Sequence, residues 1–227
     1  MTQKNRKQTK ATRVQESIRD DIVCGRILPG EKLQMDALKD RYGVGYSPLR
    51  EALSRLASNG LVQQEEQCGF CVAPLSLNEL YDLYQVRSYI ETLALELAMR
   101  HGDDNWEADV VATWHVFAKY LDPESENQIV QAEWERLQKD FLHALVKGCK
   151  SPWLLKIRGI LYDQASRYRG ICIKNHSNNK NLMNAYIKEN QDLVDAVLAR
   201  DAKTVIRISE TGWKNSVTVI AEALEKK

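Results

Sequence analysis

The sequence predicts a mostly α-helical chain in two parts: a short N-terminal part, where three helices precede a β-hairpin, and a longer antiparallel all-α bundle. Three observations carry this reading. Apolar residues recur at helical spacing through most of the chain. The paired extended runs lie between residues 61 and 73. After Pro74 there is no strand pattern, Gly-rich phosphate loop or internal repeat.

The elements follow in order. Residues 1–13 form a basic arm (Lys4, Arg6, Lys7, Lys10 and Arg13, without an acid) that is expected to be disordered. Val14, Ile18 and Ile22 recur every four residues, a short amphipathic helix that Gly25 ends before the turn at Pro29-Gly30. Residues 35–42 read as a second helix, stopped by Gly43. The third follows Tyr46-Ser47-Pro48, with Ser47 as N-cap and Pro48 in the first turn. It turns Leu49, Ala52, Leu53 and Leu56 inward and ends at Asn59-Gly60. Extended runs at 61–66 and 70–73 then flank a tight turn at Gln67-Cys68-Gly69. Helix, helix–turn–helix and hairpin within residues 14–74 describe a winged helix–turn–helix.

Residues 75–227 form the second part. Ser76-Leu77-Asn78-Glu79 is a capping box. It opens a long helix whose apolar stripe runs Leu80, Leu83, Val86, Ile90, Leu93 and Leu97. Further helices are expected over 104–120, 126–148, 152–174, 180–200 and 201–225, an antiparallel bundle.

Composition narrows the function classes. The 227 residues carry 32 Lys/Arg and 31 Asp/Glu, and 44% are hydrophobic, enough for a real core. No apolar run approaches the roughly 18 residues of a membrane span, and no apolar segment follows the basic arm, so neither membrane insertion nor a secretory signal is expected. Five scattered cysteines suit a reducing cytoplasm better than a disulfide framework. The Cys68-x-x-Cys71 pair has no second pair with which to make a zinc ribbon, and a hairpin is the wrong place for redox chemistry, so a structural role is expected. Near-neutrality hides an asymmetry: residues 1–74 hold 12 Lys/Arg against 9 Asp/Glu, the remainder 20 against 22. A basic arm is an electrostatic handle for nucleic acid or simply a solvated leader, and charge alone leaves both open. No nucleophile–base pair or metal cluster points to an enzyme.

Three stretches carry a resemblance: Ile22-Val-Cys-Gly-Arg-Ile-Leu-Pro-Gly-Glu-Lys-Leu33, Tyr46-Ser-Pro-Leu-Arg-Glu-Ala-Leu-Ser-Arg-Leu56 and Asn59-Gly-Leu-Val62. They closely resemble the DNA-binding domain of the GntR family of bacterial transcription regulators. The helical remainder resembles the FCD ligand-binding domain of the FadR subfamily, through Val86-Arg87 with Glu91, the Phe141…Ala144…Gly148 helix end, and Ala196-Val-Leu-Ala-Arg-Asp201. Within that subfamily it is most similar to members induced by carbon starvation.

The resemblance implies a cytoplasmic homodimer that binds a pseudo-palindromic operator and acts as a repressor released by a small carboxylate. Gly45, Tyr46, Ser47 and Arg50 would face the major groove, with Arg50 bidentate to guanine or, failing that, on a phosphate or in an internal salt bridge. Lys32, Arg41 and Arg55 read as phosphate-positioning or surface charges. Gly69 would sit with Cys68 at the wing tip near the minor groove. Family members often carry Arg where Tyr46 stands. FCD domains of this type usually hold a divalent metal, on an Asp or His, a His four residues later, and one His from each of two later helices. The anchors place those positions at Gln138, Leu142, Asn190 and Gly212, none a usual ligand, so no metal cofactor is expected. The histidines (His101, His115, His143, His176) show no i, i+4 pairing. An effector would instead meet Arg87, Gln138, Tyr186 and Asn190 on inward faces, Arg87 suiting a carboxylate through its planar fork. Arg167 and Arg169 are possible helpers, one of them expected at the surface. The alternative is a self-satisfied polar network in a helical part that serves only as a dimerisation scaffold.

Overall fold

The computed structural model describes residues 9–65, 69–124, 129–170 and 179–225. The expectations for the arm before Thr9, the turn tip Gln67-Cys68, His176 and the far end of the 152–174 helix lie outside these residues. The chain divides into two compact units between Leu75 and Ser76.

The N-terminal unit comprises α1 (Lys10–Val23), β1 (Lys32–Leu33), α2 (Met35–Tyr42), α3 (Tyr46–Ser58), β2 (Val62–Glu65) and β3 (Gly69–Val72). The Thr9 hydroxyl caps α1 by accepting from the Thr12 amide at 3.2 Å, and Ala11 is buried. Lys10 to Arg13 are therefore helical, not part of a disordered arm. Val14, Ile18 and Ile22 meet Leu49, Ala52, Leu53 and Leu56 in a single core. The sheet is antiparallel in the order β1-β3-β2, with Leu33 opposite Phe70 and Val62 opposite Val72. Two-residue β1 was invisible to periodicity; it exists because the Gly30 amide donates to Val72 and the Val72 amide to Glu31.

One cap differs from expectation. Gly45, not Ser47, is the N-cap of α3, and no side chain caps this helix. The Leu49 amide closes the first turn on the Gly45 carbonyl at 3.3 Å, which pulls Tyr46 and Ser47 into the helix and leaves Pro48 at the third position, where its missing N–H costs nothing.

The C-terminal unit contains α4 (Leu77–His101), α5 (Asp104–Leu121), α6 (Gln131–Lys147), α7 (Pro152–Arg169), α8 (Lys180–Leu198) and α9 (Ala202–Glu225). Helix α4 packs on α6, α7 and α9, while α5 packs on α6 and α8. Their core is aromatic: Trp114, Phe117, Trp134 and Phe141 interlock at centroid distances of 5.1 to 6.4 Å. Ser76, Asp103, Ser151 and Asn179 each cap a helix with a side-chain acceptor. The capping box is only half made. Ser76 accepts from the Glu79 amide, but the Glu79 carboxylate goes to Arg167 at 2.9 Å and to the Tyr168 hydroxyl. Among the described residues no helix is long and apolar enough to cross a membrane.

The α4 stripe is also corrected. Val86 and Leu93 are exposed, and the inward face carries Leu80, Leu83, Tyr84, Arg87, Glu91, Ala94, Leu95 and Ala98. The inward face thus includes two charges: Arg87, expected there, and Glu91, which the apolar stripe did not place.

Candidate nucleic-acid interface and interior cavity

Helix α3 presents its first turns to solvent. Gly45, Tyr46, Ser47 and Arg50 are all exposed, and Arg50 makes no hydrogen bond or ion pair with any described residue. Tyr46 is restrained: its hydroxyl donates to Asp36, and the Lys39 ammonium stands 5.0 Å from its ring centroid. That hydrogen bond raises the phenol pKa. Lys32 is exposed on β1. Gly69 opens β3 with φ +93°, a left-handed backbone that glycine adopts without strain. Arg41 and Arg55 are less free than simple surface charges. Arg41 pairs with Asp21 at 2.5 Å, and Arg55 pairs with Glu51 at 2.5 Å. Buried Asp21 also accepts from Arg26 and, at 2.6 Å, from the Tyr42 hydroxyl. Burial alone would raise its carboxyl, but the tyrosine and arginine bonds hold it below the usual range. This node joins α1 to α2 and orients Arg41 beside Tyr42.

Within the helical unit, α4, α6, α7, α8 and α9 line a cavity of about 490 Å³. Gln138, Leu142, Asn190 and Gly212, positions on three different helices, all line it, as do Arg87 and Tyr186. Arg87 is 4% exposed and shares Glu91 with Arg158: Arg87 Nε stands 3.3 Å from one carboxylate oxygen, Arg158 Nε 2.7 Å from the other. Arg158 also donates to the Leu142 carbonyl at 2.9 Å. Arg169 pairs with Glu135 at 2.8 Å and lies 4.3 Å from the Tyr162 ring centroid. Gln138 donates through Nε2 to the Tyr186 hydroxyl at 3.0 Å, and Asn190 donates to the Tyr186 carbonyl at 2.8 Å. Burial pushes the Tyr186 hydroxyl up to about 12, so it stays protonated.

Neither Arg167 nor Arg169 is at the surface, contrary to the expectation for one of them: the Arg167 side chain is fully buried and that of Arg169 12% exposed. Each is carried inward by a carboxylate from another helix. His143 and Asp140 point outward, Asp140 to Arg136. Among the described residues no group of three His, Cys, Asp or Glu is placed to hold a metal. The four family metal positions offer two amides, an apolar side chain and a glycine, a donor set that does not fit a first-row divalent ion. Reading the sequence missed Arg158, Glu135, Tyr162 and Glu189. Arg87 and Glu91 at i, i+4 were the visible signal of the network; the cross-helix members have no sequence signature.

A winged helix–turn–helix with an open recognition helix, followed by a helical bundle around a largely apolar cavity edged by arginines, defines a DNA-binding transcriptional regulator with a second, helical domain. Comparison with known proteins supplies the family. Residues 10–72 match the bacterial regulatory proteins of the gntR family, and residues 82–211 match the FCD domain. The chain is 35% identical over 207 residues to the HTH-type transcriptional repressor GlaR of Escherichia coli (strain K12), covering 91% of this chain and 94% of that protein. It is also 35% identical to the HTH-type transcriptional regulator BphR of Paraburkholderia xenovorans (strain LB400), over 91% of this chain and 83% of BphR. The chain belongs to the GntR family, with an FCD domain. In fold it is similar to E. coli McbR/YncC, with a TM-score of 0.82 at 16% identity over 95% of this chain and 98% of that one.

Proposed function

We propose that this regulator is a cytoplasmic homodimeric repressor whose hold on a pseudo-palindromic operator is released by a small carboxylate-bearing molecule. It further groups with the carbon-starvation-induced members of its subfamily. The observation that carries the effector reading is the cavity: on its α4–α7 side Arg87, Arg158 and Arg169 outnumber Glu91 and Glu135, a local positive excess that suits a carboxylate. Arg87, Gln138, Tyr186 and Asn190 would meet it. The naming of GlaR as a repressor supports the direction of control.

At the DNA end, Arg50 reads a guanine, Gly45, Tyr46 and Ser47 approach the groove, and Lys32, Arg41, Arg55 and the Gly69 wing position the backbone. Dimerisation is supported by an exposed apolar face on antiparallel α4 and α7, where Tyr89 is 65% and Trp153 69% exposed beside Leu93 and Ile157. A second reading, in which the helical unit is only a dimerisation scaffold, draws on the degree to which Arg87, Glu91 and Arg158 already satisfy one another. A thermal-shift series with small carboxylates, paired with operator binding, separates the two. A ligand that raises the melting temperature and weakens DNA binding supports the first reading, and no response to any carboxylate leaves the scaffold.

A further inference from the structure

The cavity has two electrically different ends. At the α4–α7 end, Arg87, Arg158 and Arg169 exceed Glu91 and Glu135 by one charge. Arg169 Nη1 and the Tyr84 hydroxyl are buried there without a hydrogen-bond partner among the described residues. Buried donors in folded proteins are nearly always satisfied, so a missing acceptor is informative. At the α8–α9 end stands Glu189, which also lines the cavity. Its carboxylate lies over Gly212: a Cβ there would come within 3.0 Å of Glu189 Oε1, so the glycine leaves the space that the carboxylate fills. No described residue donates a hydrogen bond or ion pair to Glu189, although it is partly buried. Tyr186 also lines the cavity, within electrostatic reach of both Arg169 and Glu189.

A carboxylate withdrawn from water without a cation, in the same chamber as a surplus guanidinium, is costly when the chamber is empty. The same arrangement complements a molecule bearing both charges. We propose that the effector is an amino carboxylate, its carboxylate taken at the Arg87–Arg169–Tyr84 end and its ammonium held by Glu189. This rests on the reading of the cavity as an effector site and adds the second functional group.

The test is calorimetric titration of the full-length protein with the ω-amino carboxylates from 3-aminopropanoate to 8-aminooctanoate, each beside the plain acid and the diacid of the same length. At the best length the amino acid should bind at least tenfold more tightly than the plain acid, about 1.4 kcal/mol. Glu189→Gln should erase that margin while leaving the plain acid unchanged. Gly212→Ala, which displaces the Glu189 carboxylate, should narrow it. Equal binding of amino and plain acids, a margin that survives Glu189→Gln, or tighter binding of the diacid would overturn the ammonium assignment and leave the carboxylate reading standing. No binding by any member of the three series would overturn both.

Discussion

Glu91 is a carboxylate 4% exposed, with a guanidinium on each oxygen. Burial alone would raise its carboxyl, but Arg158 and Arg87 outweigh that and hold it below the ordinary range. A folded value below the unfolded one, near 4.3, means that the contribution is present above that value and lost as pH falls through the folded one. Glu91→Gln should therefore lose about 3–5 kcal/mol in urea denaturation at neutral pH, because two buried guanidiniums lose their counter-charge. The gap to the unsubstituted protein should close in acid; a gap independent of pH would place the stabilisation elsewhere. Tyr46 makes the opposite case at the surface. Its hydroxyl is committed to Asp36, so the ring, not the O–H, is what it offers a base. Tyr46→Phe should leave operator preference unchanged in competition binding, whereas Arg50→Ala should lower discrimination by about 1–3 kcal/mol. These exposed residues could be picked out from the sequence because the recognition-helix motif fixes their order. The Asp36 restraint could not, since it depends on how α2 crosses α3.

Elements were legible wherever one face is apolar and the other polar. Helices α1 and α3 follow their stripes, and Met35 to Tyr42 forms the expected helix between its breakers. Helix α4 was misread because both of its faces are apolar and the inner one contains an ion pair. The stripe put Arg87 on the inner side, as found, but not the buried Glu91 or the partner Arg158, which comes from a helix 67 residues on from Glu91. The half-made capping box has the same origin, Glu79 being claimed by α7. The α4–α5 corner shows what only packing reveals. Gly102 has an ordinary backbone, φ −65°, yet a Cβ there would fall 2.1 Å from the Trp106 ring, whose Nε1 donates to the Ala144 carbonyl at 2.8 Å. Gly102→Ala should cost about 1–3 kcal/mol in denaturant unfolding through overpacking. A neutral result would mean that the corner opens freely.

For the whole molecule, the architecture was readable because helical periodicity dominates and the winged unit has a recognisable order of breakers; of the cavity, inward stripes showed Arg87, Gln138, Tyr186 and Asn190, but not the walls that five helices make together. Two predictions belong at this scale. Trp153→Asp should weaken self-association by about 2 kcal/mol or more if the α4–α7 face joins two copies, as sedimentation would show. A dimer of unchanged strength would move the interface to another surface. Elemental analysis of purified protein should find no stoichiometric zinc, nickel or manganese, and a chelator should leave the melting temperature unchanged. About one metal per chain, lost together with stability, would point instead to His143 and Asp140 as donors.

The fold also sorts its five tryptophans into separate surroundings. Trp106 and Trp114 are in the core, Trp153 is on the exposed α4–α7 face, and Trp134 and Trp213 form part of the cavity wall. The Trp134 ring lies 5.7 Å from that of Tyr186, centroid to centroid. Indole emission shifts with the polarity around the ring, so the protein contains its own optical gauge. A guest entering the chamber changes the light from Trp134, and the occupancy of the interior becomes readable without a dye or label.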